Sequence, residues 1–225
     1  MSRQQSNGCM KTFLLLVCTV VVFLDNAVWA VDLQNTQCDT EEAYFRATPT
    51  MKKADQAGDR KDTKGQIEYY KIGVKENNPW AKLMLSLYHG QGTDVPKNVT
   101  ESFRLMSEAA AQDFGPSKTM MGLFYDLGRG VPQNYVEAVR WYKLAAAKGC
   151  AIAWFSLSDM HENGKGTPKS YIKAHMWANL YSAKDIGGYG KIRRDVLENI
   201  MTKEQIAQAQ QLATRCQAQN FQNCD

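Results

Sequence analysis

The sequence predicts an all-α fold, a solenoid of stacked helix pairs, and three observations carry that expectation. A period of 36 residues runs through the middle of the chain: Pro96, Pro132 and Pro168 fall in step, as do Gly92, Gly128 and Gly164, and Ala111, Ala147 and Ala183. Several independent columns agreeing at one spacing mark a supersecondary unit repeated in an array. Within each unit the apolar residues recur at helical spacing in two blocks. Between the blocks stands a glycine and proline loop of the kind that stops one helix before the next begins.

The elements follow in chain order. Arg3 and Lys11 precede an apolar stretch from Phe13 to Leu24, and Val28-Trp29-Ala30 then offers small side chains at both recognition positions of a signal peptidase. Residues 1–30 read as a secretory signal cleaved after Ala30. A retained membrane anchor is the competing reading, but twelve residues at about 1.5 Å rise reach about 18 Å of a roughly 30 Å hydrocarbon core. No stable membrane span is expected after cleavage. Cys18 follows Val17, where a lipoprotein signal wants a smaller side chain, and Met10 opens a tighter signal of standard shape, an alternative start to Met1.

Residues 31–80 are expected to hold helices broken at Pro49, a polar loop from Gly58 to Lys64, and a degenerate second helix from Gly65 to Lys75. There Gln66 and Tyr69 stand one period before Ser102 and Leu105. Residues 81–188 form three full units. Ala81, Leu85 and Tyr88 recur as Ser117, Met121 and Phe124, then as Ala153, Leu157 and Met160, on one face of a first helix, helix A. Ser102, Leu105 and Ala109 recur as Ala138, Trp141 and Ala145, then as Ala174, Trp177 and Tyr181, on a second helix, helix B. Asn98, Asn134 and Ser170 follow each proline by two residues and are of the types that cap helix starts. Asp94 stands where the second unit has Gly130, and Asp tolerates left-handed backbone. Residues 189–225 supply capping helices, one from Lys191 to Ile200 and one opened by the capping-box pattern of Thr202 and Gln205.

Composition narrows the function. The chain is 44% hydrophobic and 22% charged, too apolar for general disorder. Loss of residues 1–30 removes Arg3, Lys11 and Asp25, leaving 25 basic against 22 acidic residues, a net of +3. The longest basic runs are pairs such as Lys52-Lys53, so no nucleic-acid partner is expected. Cys38, Cys150, Cys216 and Cys224 remain, an even number suited to an oxidising compartment. No Cys-x-x-Cys or paired Cys and His spacing occurs, so no metal and no cofactor is expected. Cys216 and Cys224 are expected to pair and clamp the last helix, which contributes on the order of 2 to 3 kcal/mol in the chain-entropy model. Cys150 is expected to be a buried thiol, with the partner of Cys38 open.

Leu123, Tyr125, Gly128-Arg-Gly130-Val-Pro132-Gln-Asn134-Tyr135, Ala138, Trp141-Tyr142 and Ala145-Ala146-Ala147-Lys-Gly149 resemble the Sel-one-like repeat, a relative of the tetratricopeptide repeat. The first unit departs with His89 at the family's tyrosine and Leu105 at its tryptophan; the third has His161 for the tyrosine and Asp185 for the closing glycine. The resemblance implies a right-handed superhelix of antiparallel helix pairs with a concave face lined by helix A. It also implies a role in assembling other proteins, with no shared catalytic residue.

Residues one period apart form ladders along such a superhelix. Lys82, Lys118 and Trp154 are the leading candidates for binding a protein or peptide, although Trp154 also reads as core. His89, Tyr125 and His161 form a second ladder, for which packing is the plainer reading. Ser170-Tyr-Ile-Lys173 matches the S-x-x-K pattern of penicillin-binding enzymes. Ser170 falls on the cap column, however, and no S-D-N or K-T-G companion exists. The expected function is therefore an exported, non-enzymatic scaffold. The rival reading is a β-lactam-binding or hydrolysing envelope protein, as the resemblance to cysteine-rich members implies, but the per-repeat disulfides of that group are missing. Asn98-Val-Thr100 is a glycosylation sequon that matters only in a eukaryotic secretory pathway. Signal and family together point to the bacterial periplasm or exterior.

Overall fold

The computed structural model describes residues 19–24, 27–32, 39–184 and 188–224. Eleven α-helices lie among the described residues. The first three are α1 (Asp39–Arg46), α2 (Pro49–Asp59) and α3 (Thr63–Lys75). The three repeats supply α4 (Pro79–Gln91) with α5 (Val99–Ala111), α6 (Gly115–Leu127) with α7 (Tyr135–Ala146), and α8 (Ala151–Asn163) with α9 (Tyr171–Ser182). The chain then forms α10 (Tyr189–Glu198) and α11 (Lys203–Ala218). Ahead of the helices, β1 (Thr19–Leu24) pairs antiparallel with β2 (Ala27–Asp32), Thr19 opposite Asp32.

That hairpin adds strands where the sequence reading placed none of consequence. The expected signal falls here, and its residues 1–18 and 25–26 lie outside the described residues. Among the described residues no helix is long and apolar enough to cross a membrane.

The array follows the period. Helices A open at Pro79, Gly115 and Ala151, and helices B at Val99, Tyr135 and Tyr171, 36 residues apart in each column. Each A packs on its own B and each B on the next A, which is the connectivity of a solenoid of helix pairs. Where A crosses B, small residues allow close approach. Ser86 Oγ donates to the Ser102 carbonyl at 2.6 Å, Ser158 Oγ to that of Ala174 at 2.9 Å, and between them Gly122 leaves room for the Tyr142 ring. Leu83, Leu105, Met106 and Phe114 belong to one core; Tyr142, Trp154, Leu157 and Trp177 belong to a second, and Tyr125 packs against both.

The loops explain their own composition. Asp94, Gly130 and Gly166 share left-handed backbone, at φ 56°, 70° and 66°. A Cβ on Gly130 would sit 2.8 Å from the Val99 carbonyl oxygen, and one on Gly166 would fall on that of Tyr135, so each loop presses on the head of the preceding helix B. Asn98, Asn134 and Ser170 each accept the amide three residues on, from Glu101, Glu137 and Lys173. Ser170 Oγ is thereby engaged as a helix cap.

Two details differ from the sequence reading. The polar stretch 58–64 is mostly helical, because α2 runs to Asp59 and Asp62 caps α3 by accepting from Gly65 N at 2.9 Å. Cys150 is disulfide-bonded and not a free thiol, its partner lying outside the described residues. It stands at the head of a helix A. Cys216 and Cys224 are joined, their Cα atoms 4.9 Å apart. Finally, Thr202 and Gln205 form a reciprocal capping box, yet α11 packs on α9 and not on α10, which precedes it.

Candidate functional site

The heads of the three helices A lie along one edge of the array, and each is finished differently. Asn78 Oδ1 caps α4 by accepting from Ala81 N at 3.1 Å. The equivalent positions before α6 and α8 are Phe114 and Cys150, neither of which makes a side-chain cap. An uncapped helix start leaves amide donors without partners. Helix α1 supplies one: Glu41 Oε2 accepts from Gly115 N at 3.1 Å, while Glu41 Oε1 accepts from Lys148 Nζ at 3.0 Å. Farther along α1, the Phe45 ring meets Phe114 edge-on at 5.6 Å, the Phe45 carbonyl accepts from Asn78 Nδ2 at 2.9 Å, and the Arg46 guanidinium lies 5.2 Å over Trp80. One short helix thus touches the heads of two helices A and the loop before the third.

Between α1 and that edge runs an open cleft lined by Tyr44, Phe45, Gln112, Asp113 and Lys148. Tyr44 is 72% exposed. Asp113 pairs with both Lys118 and Lys148. Hydrogen bonds from Lys118 and then Lys148 hold its carboxyl below the usual carboxylate range. Burial lowers the proton affinity of Lys148, but its bonds to Asp113 and Glu41 outweigh that and raise it.

The ladder expected to bind is built for packing. Lys82 and Lys118 are buried, and Trp154 has no exposed surface. The reason lies five residues upstream of each. Asn77, Asp113 and Gly149 occupy the left-handed position that ends each preceding helix B. Asn77 Oδ1 accepts from Lys82 Nζ at 2.6 Å, and Lys118 pairs with Asp113 in the same way. Lys82 also meets Glu108 at 3.2 Å. Gly149 has no side chain to offer a cation, and there the ladder changes to Trp154. The indole donates to the Ala146 carbonyl at 3.2 Å and packs against the tilted ring of Phe221, ring centroids 4.7 Å apart. These are intramolecular bonds, not three side chains offered to a partner.

His89, Tyr125 and His161 share a different task. Their carbonyls accept the amides of Asn98, Asn134 and Ser170, each at 2.8 Å, closing every loop onto the end of its helix A. His89 and Tyr125 are half-buried and His161 is buried, with its Nδ1 3.4 Å from Thr167 Oγ1. Among the described residues no group of three His, Cys, Asp or Glu side chains is placed to hold a metal.

Sequence reasoning missed Glu41, Tyr44 and Phe45 because α1 stands outside the period. The one trace of them was apolar Phe114 in the column where Asn78 caps its own helix.

Residues 81–114, 116–150 and 151–180 match the family model of the Sel1 repeat. Among solved structures, a protective antigen present in uropathogenic Escherichia coli strains and displaying an SLR fold is similar in fold. It is 19% identical over 70% of this chain and 42% of that one, with a TM-score of 0.53. This chain therefore spans less than half the length of that relative. A Sel1 repeat protein from Oxalobacter formigenes is 29% identical over 52% of this chain and 90% of that one, with a TM-score of 0.51. No curated protein matches the chain.

Proposed function

We propose that this chain, a Sel1-like helical repeat protein, is an exported, non-enzymatic scaffold that holds a protein or peptide partner in the cleft beside α1. Sel1 repeats serve contacts between proteins, and the observation that carries the choice of surface is Tyr44, 72% exposed among Gln112, Asp113 and Lys148. A rigid aromatic side chain amid satisfiable polar groups is the usual makeup of a binding hot spot. The partner suited to it presents an apolar side chain to Tyr44 and Phe45, and polar backbone or side-chain groups to Gln112 and Lys148. Lys118 serves the cleft indirectly by holding Asp113, one of the residues that line it. Ser170 and Lys173 take no part, since the serine oxygen caps α9. The order of basic, apolar and small residues in positions 1–30 supports export to the periplasm or exterior.

A photo-crosslinking residue at Tyr44, expressed in the native host, should capture the partner. Binding of that captured protein should weaken at least tenfold for Tyr44→Ala, with helical content and melting temperature unchanged. Unaltered affinity in both Tyr44→Ala and Lys148→Ala overturns this choice of surface. Intact mass of the exported protein should show loss of thirty residues; a full-length, membrane-extracted species overturns the address.

A further inference from the structure

Helix α10 occupies the helix A position of a fourth unit, one period after α8. The helix due to cover it is α11, but that helix packs on α9, burying Ala209, Ala213 and Cys216. One face of α10 meets α9: Gly190 lies against Ser182, and Leu197 joins Ala174 and Ala178. On one flank Arg193 reaches α8, 3.2 Å from Asp159 and 2.6 Å from Glu162. The remaining face keeps Tyr189, Ile192 and Val196 more than half exposed, with Ile200 beyond the helix end, at 63%, 60%, 53% and 55%. Their spacing of three and four places them in one stripe. A contiguous apolar stripe of this kind on a folded surface marks a contact site.

We propose that the stripe joins two copies of this chain, α10 packing antiparallel on the partner's α10 about a two-fold axis near Ile192. The flank away from Arg193 carries exposed Lys191 and Asp195. In an antiparallel helix pair the same flanks face each other in reverse order. With the axis at residues 192 to 193, Lys191 lies opposite the partner's Asp195 and Asp195 opposite the partner's Lys191. Ile192 meets the partner's Ile192, and Tyr189 meets the partner's Val196 at both ends. The surface is thus complementary to itself in the antiparallel arrangement, as an isologous interface requires. Four part-exposed side chains per copy make a small interface, which places the dissociation constant at roughly tens to hundreds of micromolar. The surface shares no residue with the cleft beside α1.

The test is analytical ultracentrifugation of the purified chain up to millimolar concentration. A reversible monomer to dimer equilibrium is expected. It should be lost in Ile192→Glu, a substitution at an exposed position whose helical content and melting temperature check the fold. Lys191→Glu and Asp195→Lys should each weaken dimerisation about tenfold, and the double reversal should recover it to within about twofold. A chain that stays monomeric throughout assigns the stripe to a foreign helix or a membrane surface and overturns the proposal. So does a dimer that survives Ile192→Glu, or a double reversal no better than the single ones.

Discussion

Glu41 Oε2 accepts a hydrogen bond from the Gly115 backbone amide at 3.1 Å, across 74 residues of chain. A helix that starts at an apolar Phe114 is thus capped by a carboxylate from another element, and the negative charge also suits the positive end of the α6 dipole. The same carboxylate meets Lys148, so one side chain ties α1 to both ends of the second repeat.

Glu41→Ala should therefore behave as a lost N-cap, costing about 1 kcal/mol. For a chain of this size that is a fall of about 3 °C in melting temperature. Glu41→Gln keeps an acceptor for Gly115 and should lose less. Equal melting temperatures for all three proteins in a calorimetric scan would remove the cap from the account.

Trp154 and Lys118 stand in one column but should respond in opposite ways. Trp154→Ala removes a ring with no exposed surface and should cost about 3 to 5 kcal/mol in urea unfolding. Lys118→Met keeps the buried stem and gives up an ion pair to Asp113, which retains Lys148. Asp113 is 63% exposed and keeps Lys148, so the carboxylate left behind stays solvated and paired, and a change below about 1 kcal/mol is expected. A small loss at Trp154 would return that residue to the exposed ladder.

Gly166→Ala should cost about 2 kcal/mol or more, since the new Cβ meets the Tyr135 carbonyl and the backbone is left-handed. Asp94→Gly, in the same column, should change stability little because Asp94 already holds φ at 56°. Denaturant midpoints of the two variants check the contrast.

Two carboxyls give the stability opposite dependences on pH. Asp113 has a depressed folded value, so its contribution is complete above the unfolded value of about 3.9 and fades as pH falls below it. Asp126 is raised by burial, against the pull of Lys165, so its charge costs stability at neutral pH and the cost disappears in acid. Asp113→Asn should then be less stable than the parent at pH 7 and equal to it in acid. Asp126→Asn should be more stable at pH 7, with the gain vanishing as pH falls through the carboxylate range. Thermal scans from pH 3 to pH 7 that show the same sign for both would contradict the assignment.

What the sequence determined by itself was the set of contacts that the repeat period and short motifs make within a few residues of chain. Asn98, Asn134 and Ser170 cap helices by reaching three residues forward, Asp94 holds its loop, and Thr202 meets Gln205 within one turn. Cys216 reaches Cys224 across eight residues. Each is a local interaction, and the period multiplies it through the array. Tertiary structure alone decided the site, because its contacts join segments that no periodicity relates. Phe114 gave no sign of which carboxylate would cap its helix until Glu41 was placed beside it. Lys82, Lys118 and Trp154 read as an open ladder until the loops put an oxygen beside each ammonium and, at Gly149, left only space for an indole. The bare stripe of α10 arose in the same way: the pattern of α11 makes it a helix, but burial of its apolar face against α9 took it away from α10.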